Sequence, residues 1–222
     1  MMTSETKITK YISADAESEL ISWLKDSGCE VIPVKTSGIV SEPLSCHPDS
    51  FMCRLGCRDD SPVFACSDPV AELGPKYPDD IAYNAACTGR YFIHNLKYTS
   101  PRLLDEAKRR GLILVSTRQG YTKCSTAVID EDSIITYDKG IALPAADAGL
   151  DVLLIRPGHI LLPGFDTGFI GGASGRIGDT IVFNGDLKAH PDFERIRDFI
   201  ETKGLRLKWF EHWPLTDSGS IL

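Results

Sequence analysis

The pattern of apolar and polar positions predicts several amphipathic helices, each ended by a glycine and followed by an apolar strand. The clearest covers PRLLDEAKRR from Pro101, where Leu103, Leu104 and Ala107 share one face. Gly111 then ends the helix, and LILVST follows as a strand. The segments after Ser13, at PVAEL, at ALPAADA and after Pro191 predict similar helices, and each precedes one glycine: Gly28, Gly74, Gly149 and Gly204.

The intervals between these five glycines are 46, 37, 38 and 55 residues, which indicates an internal repeat. Before each helix lies a strand that mixes β-branched or aromatic residues with polar ones: KITKYIS, SPVFACS, RYFIHNL, DSIITYD and DTIVFNG. Upstream of four of these strands lies another segment of small residues: PDSFMC, NAACTG, CSTAVI and GASGRI. The sequence therefore predicts the order strand, strand, helix, strand in each unit.

The matching segment of the first unit lies at the other end of the chain. DSGSIL, residues 217–222, resembles the small-residue segments, and KITKYIS would continue its unit. This arrangement closes a ring and removes exposed sheet edges. We predict one α/β domain over residues 1–222, with units at roughly 211–222 plus 7–35, 47–82, 83–118, 121–156 and 168–210. An open α/β sandwich is the alternative, because the second unit lacks a clear third strand.

The composition, with 42% hydrophobic and 25% charged residues, is that of a folded domain and excludes a disordered chain. No apolar run reaches the length of a membrane span, and the opening MMTSETKITK has no signal-peptide pattern. Seven cysteines, an odd number, indicate free thiols in a reducing compartment, so we expect a cytoplasmic protein without membrane contacts. A net charge of −7 disfavours binding to nucleic acid or to the ribosome.

The repeat resembles the pentein superfamily of guanidine-modifying proteins. The segments GYTKCSTAVIDEDSIITYDKGI and LLIRPGHILLPGFDTGFIGGASGRIGDTIVFNG, with the ending DSGSIL, also resemble an uncharacterised bacterial family within that superfamily. The resemblance implies an α/β propeller of about five pseudo-symmetric ββαβ units around a central channel. The first strand of each unit would line this channel, and the C-terminal strand would close the ring.

The resemblance also implies what a catalytic member should contain. Arginine deiminases, agmatine deiminases and dimethylarginine hydrolases carry a nucleophilic cysteine at the end of the last channel strand and a histidine, often in H-x-D, in the preceding unit. The matching position here is Leu222 or just beyond, GGASGRI has no histidine, and the H-x-D is His47-Pro48-Asp49 in the second unit.

We therefore expect a non-catalytic or diverged pentein. It would bind a small cationic, guanidino-like ligand or a protein partner through the channel. The alternative is a cysteine-dependent hydrolase or amidinotransferase acting on a guanidino compound through a relocated nucleophile. That nucleophile would be Cys124 or Cys87, with His47 as acid and base.

Candidate channel residues are the polar and thiol side chains of the five small-residue segments: His47, Asp49, Asn84, Cys87, Lys123, Cys124, Ser125, Ser174, Arg176, Asp217 and Ser220. Five of them are the predicted ligand-binding residues: Asp49, Asn84, Ser174, Arg176 and Asp217. Asp49 and Asp217 are the natural pair for a guanidinium, because carboxylates accept bidentate hydrogen bonds from it. Both could instead be turn-forming aspartates.

Two candidates have open structural alternatives. His47 and Asp49 either share one face of a strand, or they form a turn in which Asp49 caps backbone amides. Cys124 is either a nucleophile or a small buried apolar thiol, and in a regular strand the Lys123 ammonium would point to the opposite face from it.

Cofactor and metal sites are not expected. The set Cys46, His47, Cys53, Cys57 and Cys66 contains no C-x-x-C, and its cysteines are spaced seven, four and nine residues apart. The glycines from Gly172 to Gly178 lack the spacing of a dinucleotide or P-loop motif. We therefore predict no metal and no cofactor.

Overall fold

The structure is a computed structural model that describes residues 8–35 and 38–222. Lys7, the first residue of the predicted strand KITKYIS, lies outside the described residues. The strands are β1 (Ile8–Ser13), β2 (Cys29–Val34), β3 (Met52–Arg54), β4 (Val63–Ala65), β5 (Ala86–Cys87), β6 (Tyr91–His94), β7 (Ile113–Ser116), β8 (Thr126–Val128), β9 (Ser133–Thr136), β10 (Asp151–Leu154), β11 (Ser174–Ile177), β12 (Thr180–Phe183) and β13 (Arg206–Lys208).

The helices are α1 (Ser18–Asp26), α2 (Pro48–Phe51), α3 (Pro69–Glu72), α4 (Pro101–Arg109), α5 (Thr122–Ser125), α6 (Lys139–Asp147) and α7 (Phe193–Thr202). Two short 3-10 helices cover Glu42–Leu44 and Leu187–Ala189. Within the described part of the chain, no helix combines the length and the apolar character that crossing a membrane requires.

The strands pair into five small sheets. In three of them the first strand pairs antiparallel with the second, and the second pairs parallel with the third: β5-β6-β7, β8-β9-β10 and β11-β12-β13. A helix connects the second strand to the third in each case, namely α4, α6 and α7. The order strand, strand, helix, strand that the glycine pattern predicts is therefore present in these three sheets.

The other two sheets are smaller. β3 pairs antiparallel with β4, and within residues 38–222 no third strand joins them. β1 and β2 are parallel on either side of α1 in sequence. The C-terminal segment adds to this sheet, because Tyr11 N donates to Leu222 O at 2.7 Å and Leu222 N donates to Tyr11 O at 3.0 Å. Ile221 N also donates to Ser174 O in β11, at 3.0 Å.

Four of the five predicted glycine stops have the left-handed backbone that ends a helix. Gly28, Gly111, Gly149 and Gly204 have φ values of 84°, 70°, 104° and 71°. Gly74 is different, because α3 already ends at Glu72. A Cβ at position 74 would lie 2.8 Å from the Cβ of Asp79, so glycine is needed there for close packing.

The helices cover the sheets with their apolar faces. Leu20 and Leu24 of α1 are fully buried in a cluster that includes Ile12 of β1 and Ile221. The largest cluster joins two fully buried residues of α7, Ile196 and Ile200, to the strands β9 and β12. Burial of such side chains contributes roughly 1.5–3 kcal/mol each and holds the five sheets in place.

A circuit of hydrogen bonds joins the segments that lead into the first strands. Each bond links one sheet to the next: Asp49 N to Gly219 O (3.2 Å), Asn84 Nδ2 to Asp49 O (3.2 Å), Lys123 N to Asn84 O (3.0 Å), Gly172 N to Cys124 O (2.8 Å) and Ser220 N to Gly172 O (2.8 Å). The five bonds return to the segment where they began.

Candidate functional site

The circuit brings together most of the side chains that the sequence nominates. They come from four of its five segments. Lys123 is partly buried, and the other six are buried: His47, Asp49, Asn84, Cys124, Asp217 and Ser220. Two carboxylates, an ammonium, an imidazole and a thiol therefore share one interior cluster, which we call the axial cluster. Burying so many ionisable groups is unfavourable unless they pair with each other or with a ligand.

Asp49 is positioned by a short helix rather than by a strand. Pro48 is the first residue of α2, where its fixed φ and missing N–H suit the helix start, and His47 precedes it. The strand alternative for His47 and Asp49 is thus wrong, and the turn alternative is confirmed in that α2 is a single helical turn leading directly into β3. The expectation that Asp49 caps backbone amides is also wrong: its Oδ2 accepts hydrogen bonds from Ser220 Oγ at 2.6 Å and Cys124 Sγ at 3.1 Å. Its Oδ1 has no hydrogen-bond partner among the described residues.

Lys123 and Cys124 both enter the cluster because they lie in the helical turn α5. The prediction of a strand here, which would place the two side chains on opposite faces, is wrong. Lys123 Nζ donates to Ser220 Oγ at 2.9 Å and to Gly171 O at 3.2 Å. Burial lowers the pKa of this ammonium. Since Ser220 in turn donates to Asp49, a relay connects the ammonium to the carboxylate through one hydroxyl.

The thiol of Cys124 forms hydrogen bonds with both Asn84 and Asp49. Asn84 Nδ2 donates to Cys124 Sγ at 3.1 Å, and Asn84 Oδ1 accepts from the backbone N–H groups of Lys123 and Cys124. Burial, followed by the carboxylates of Asp49 and Asp217, raises the pKa of the thiol well above its usual value. Cys124 therefore rests as a protonated thiol that donates to Asp49.

Asp217 lies on the other side of His47. Its oxygens accept backbone hydrogen bonds from Gly219 and Phe169, each at 3.0 Å. His47 Nδ1 is 3.8 Å from Asp217 Oδ1, too far for a hydrogen bond, and has no partner in the described part of the chain. Burial raises the pKa of Asp217 to about 6, the nearby imidazole opposes this, and Asp49 adds to it.

A small cavity of about 70 Å³ reaches Cys124 and Asp217 from outside the cluster. The rest of its lining is almost entirely apolar or aromatic: Leu44, Tyr121, Leu162, Phe165, Thr167 and Phe169. Phe169 stacks on Tyr137 at 5.7 Å between ring centroids, and Tyr121 donates its hydroxyl to Asp80 at 2.6 Å. These contacts hold the aromatic walls of the cavity in place.

The aromatic walls were not among the residues predicted from the sequence. Their position in the sequence could have identified them, because Tyr121 lies a few residues before β8 and Phe169 a few residues before β11, and each of these is the first strand of a sheet. Phe165 was also missed, and half of its surface is exposed beside the cavity.

Of the nominated residues, Cys124 and Asp217 line this cavity. Ser174, Arg176, Cys87 and Lys123 line a second cavity of about 40 Å³, together with Lys10 and Arg54. Arg176 already donates to the carbonyls of Ile129 and Gly178, and Ser174 Oγ donates to Gly171 O. Ser174 and Arg176 are not part of the cavity lining that contains Asp217, so the structure does not bring the three residues around that cavity. Ser125, the remaining nominated residue, is buried and its hydroxyl has no partner in the described part of the chain.

All seven cysteines are free thiols. Within residues 8–35 and 38–222, the one group whose ligand atoms are close enough to hold a metal ion is His47, Asp49 and Cys124, with these atoms within 4.8 Å of one another. The other cysteines near His47 in sequence, including Cys53 and Cys66, are not part of that group.

Residues 60–222 match a family model described as a family of unknown function, DUF6873. The chain belongs to this family. No curated protein matches its sequence.

Among solved structures, the chain is similar to a dimethylarginine dimethylaminohydrolase crystallised as an adduct with 4-chloro-2-hydroxymethylpyridine. The identity is 10%, the TM-score is 0.52, and 93% of each chain is covered. It is also similar to the agmatine deiminase of C. jejuni, alone and with substrate bound, at 11% identity and a TM-score of 0.41 over 60% of this chain. The chain spans about half the length of these agmatine deiminases.

The match over 93% of the dimethylarginine dimethylaminohydrolase shows a pentein-like fold. The pentein resemblance inferred from the repeat is confirmed at that level. At 10% identity the likeness concerns the fold alone, so an activity has to be argued from the residues of this chain. The unit boundaries, the cytoplasmic location and the absence of nucleic-acid partners stay predictions.

Proposed function

We propose that this protein binds a small organic cation, of the guanidinium or substituted ammonium class, in the cavity above Asp217. The observation that carries the proposal is a buried carboxylate at the end of an aromatic-walled cavity, with no cation hydrogen-bonded to it among residues 8–35 and 38–222. The ligand would lie near the axis of the five-unit ring predicted from the sequence.

Asp217 supplies the charge for such a ligand. Its two oxygens are held by backbone N–H groups, so the carboxylate cannot rotate away, and each oxygen retains a lone pair that can accept a further hydrogen bond. A cation bound here would compensate the unfavourable burial of Asp217 beside Asp49. Hydrogen bonds between charged groups contribute about 1.5–3 kcal/mol each.

The cavity walls supply selectivity for an organic cation over a hydrated metal ion. Tyr121 and Phe169 present aromatic rings, which attract a desolvated cation by about 0.5–2 kcal/mol. Leu44, Leu162 and Phe165 would contact an alkyl substituent rather than water. A short alkylguanidine or alkylamine fits this combination of one carboxylate and an apolar lining.

The test is a calorimetric titration with methylguanidine, using methylurea as an uncharged compound of the same shape. We expect methylguanidine to bind and methylurea to bind at least about tenfold more weakly, which corresponds to about 1.4 kcal/mol. Asp217→Asn should weaken methylguanidine binding by about 10–100-fold, because a charged hydrogen-bond partner becomes neutral. Phe169→Leu, which keeps an apolar wall, should weaken it by a smaller factor.

Asp166→Asn is the matched control. Asp166 is exposed and lies between two cavity residues in sequence, so its replacement changes the same net charge without touching the cavity floor. Equal binding of methylguanidine and methylurea, or an equal loss in Asp166→Asn and Asp217→Asn, would refute the proposal.

A second candidate function is hydrolysis of a guanidino compound by Cys124. It is favoured by one observation, that Cys124 lines the same cavity and has a proton acceptor, Asp49 Oδ2, at 3.1 Å. The thiol proton would pass to Asp49 and sulfur would bond to the guanidino carbon. The leaving amine would take a proton from the imidazolium form of His47. Water would then add to the carbon and return a proton to His47, and the carbon–sulfur bond would break as the sulfur regains its proton from Asp49.

Thiol labelling of the folded protein tests this candidate. If Cys124 is a nucleophile, it should react with iodoacetamide much faster than the other six cysteines, and methylguanidine should slow that reaction. Uniformly slow labelling, with no ammonia or amine released from an alkylguanidine, would exclude it. Binding remains our first proposal because the raised pKa of Cys124 keeps its thiol protonated at rest.

A further inference from the structure

We propose that His47, Asp49 and Cys124 form a binding site for a transition-metal ion of the zinc class. This departs from the sequence-based expectation of no metal, which rested on cysteine spacing alone. The site does not depend on the proposed binding of an organic cation. Its three ligands do not include Asp217, although His47 Nδ1 lies 3.8 Å from Asp217 Oδ1, and it can be tested with the metal alone.

The first observation is that two buried polar atoms lack a hydrogen-bond partner among the described residues. His47 is 4% exposed and Asp49 is fully buried, yet neither His47 Nδ1 nor Asp49 Oδ1 has a hydrogen-bond partner in residues 8–35 and 38–222. Leaving such atoms unsatisfied costs about 1–3 kcal/mol each. His47 and Asp49 thus each carry an unsatisfied buried atom, and each also offers a ligand atom close to the Cys124 sulfur.

The second observation is their separation. One ligand atom from each residue lies within 4.8 Å of the others. Ligand atoms around a tetrahedral zinc ion are roughly 3.3–3.8 Å apart, given metal distances of about 2.0–2.3 Å. The widest pair must therefore approach by about 1 Å. His47 can make that movement because its side chain is not held by a hydrogen bond among the described residues.

The chemical types of the three ligands indicate which metal ions the site would prefer. One thiolate, one imidazole and one carboxylate favour zinc or cobalt over magnesium or calcium, which prefer oxygen ligands throughout.

Three protein ligands leave a fourth tetrahedral position open, which is the pattern of zinc sites that bind an exchangeable ligand. Cys124 lines the aromatic-walled cavity, so this position can be reached from the cavity. The metal would thus be accessible to a small molecule while its protein ligands stay buried.

The experiment treats the whole protein with a chelator, removes the chelator, and titrates with Co²⁺ and then with Zn²⁺. We expect one equivalent of Co²⁺ to produce the visible bands of a tetrahedral site and the ultraviolet band of a cobalt–thiolate bond, and Zn²⁺ to displace it. Removing a second-shell partner of a metal ligand already costs about 10–100-fold in affinity, so Cys124→Ala should weaken Co²⁺ binding by more than about 100-fold and abolish the thiolate band.

Two further variants keep the test decisive. Cys87→Ala removes a buried cysteine outside the proposed site and should leave the cobalt spectrum unchanged. His47→Gln replaces a side chain that makes no hydrogen bond in the described residues, so it should fold even if Cys124→Ala does not, and it should also lose binding.

The inference is overturned if wild-type protein shows no thiolate band. It is equally overturned if His47→Gln binds Co²⁺ as tightly as wild type, or if Cys87→Ala loses as much affinity as Cys124→Ala. None of these outcomes depends on whether methylguanidine binds, so the metal site and the organic-cation site can fail separately.

Discussion

The hydroxyl of Ser220 lies 2.6 Å from the carboxylate of Asp49, although 171 residues separate them in sequence. The same hydroxyl accepts a hydrogen bond from Lys123 Nζ, so one serine links the C-terminal segment to two other sheets. Ser220 also has a left-handed backbone, with φ of 73°, which is unusual for a residue other than glycine. Backbone strain is therefore tolerated where the side chain completes the axial cluster.

Replacing Ser220 should separate the contribution of its hydroxyl from that of its backbone. We expect Ser220→Ala to lower the free energy of unfolding by about 2 kcal/mol, because the buried carboxylate of Asp49 loses a donor. Ser220→Gly loses the same hydroxyl but relieves the left-handed strain, so it should be less destabilising by about 1 kcal/mol. Urea unfolding measures both. A glycine variant that is no more stable than the alanine variant would contradict the assignment of strain.

Gly219 should be far less tolerant of a side chain than another glycine with the same backbone. A Cβ at Gly219 would lie 2.2 Å from the Cβ of His47, whereas a Cβ at Gly28 would have no heavy atom within 4 Å. Both residues are left-handed, with φ of 76° and 84°. Gly28→Ala should therefore cost about 1 kcal/mol, and Gly219→Ala about 2–4 kcal/mol, because only the second adds overpacking. Similar thermal unfolding midpoints for the two variants would contradict this.

Lys123 and Asp49 should be energetically coupled through Ser220. Lys123→Met leaves Asp49 as a buried carboxylate without its cationic neighbour, and each single substitution should cost about 3 kcal/mol or more. The double variant Lys123→Met with Asp49→Asn should be more stable than the sum of the two losses predicts, by at least about 1 kcal/mol.

The exposed pair Arg206 and Asp179 is the control for this double-mutant cycle. These side chains form an ion pair at 2.5 Å but are 73% and 58% exposed, so solvent screens their attraction. Arg206→Met and Asp179→Asn should show a coupling of about 0.2–1 kcal/mol. Additive losses at Lys123 and Asp49 would show that the hydroxyl relay carries no interaction.

His94 should make stability depend on pH. Gly120 O can only accept, so Nε2 donates to it at 2.9 Å and Nδ1 accepts from the hydroxyl of Thr99 at 2.7 Å. Burial lowers the pKa of His94 from 6.5 to about 4. The unfolded chain therefore takes up a proton as the pH falls through about 6.5, while the folded protein does not until about pH 4. Stability is lost across this window, by up to about 3 kcal/mol.

Urea unfolding between pH 4 and 7 checks this expectation, in comparison with two variants. His94→Gln should show a shallower loss of stability as the pH falls. His212→Gln removes a histidine that is 78% exposed and should retain the wild-type slope. A slope that is the same in all three proteins would contradict the role of His94.

Local sequence patterns were sufficient to predict most of the secondary structure. Leu103 and Ala107 share a helix face in the sequence and are buried together in α4, and CEVIPV is the strand β2 in full. Glycine stops such as Gly111 were correct because a left-handed residue is required after the last helical turn, whatever the tertiary context. The glycine spacing also led to the pentein resemblance, since the repeat depends on local elements.

Short segments were not predictable in the same way. The four-residue helices α2 and α5 have too few residues for a periodic pattern. The sequence left α2 open between a strand and a turn, and it predicted a strand at α5. This error mattered for the site, because the helical turn at α5 directs both Lys123 and Cys124 into the axial cluster. The aromatic walls were missed because Tyr121 and Phe169 lie in segments without periodicity.

The sequence by itself determined the order of elements, the nominated polar residues and the likeness to penteins, because helix stops, strand composition and repeat length are local properties. Only the tertiary structure decided which nominated residues meet. It placed Asp49, Cys124 and Ser220 together and Arg176 elsewhere, since contacts between residues far apart in sequence depend on how the five sheets close on one another. The unsatisfied atoms of His47 and Asp49 exist only in that closed arrangement.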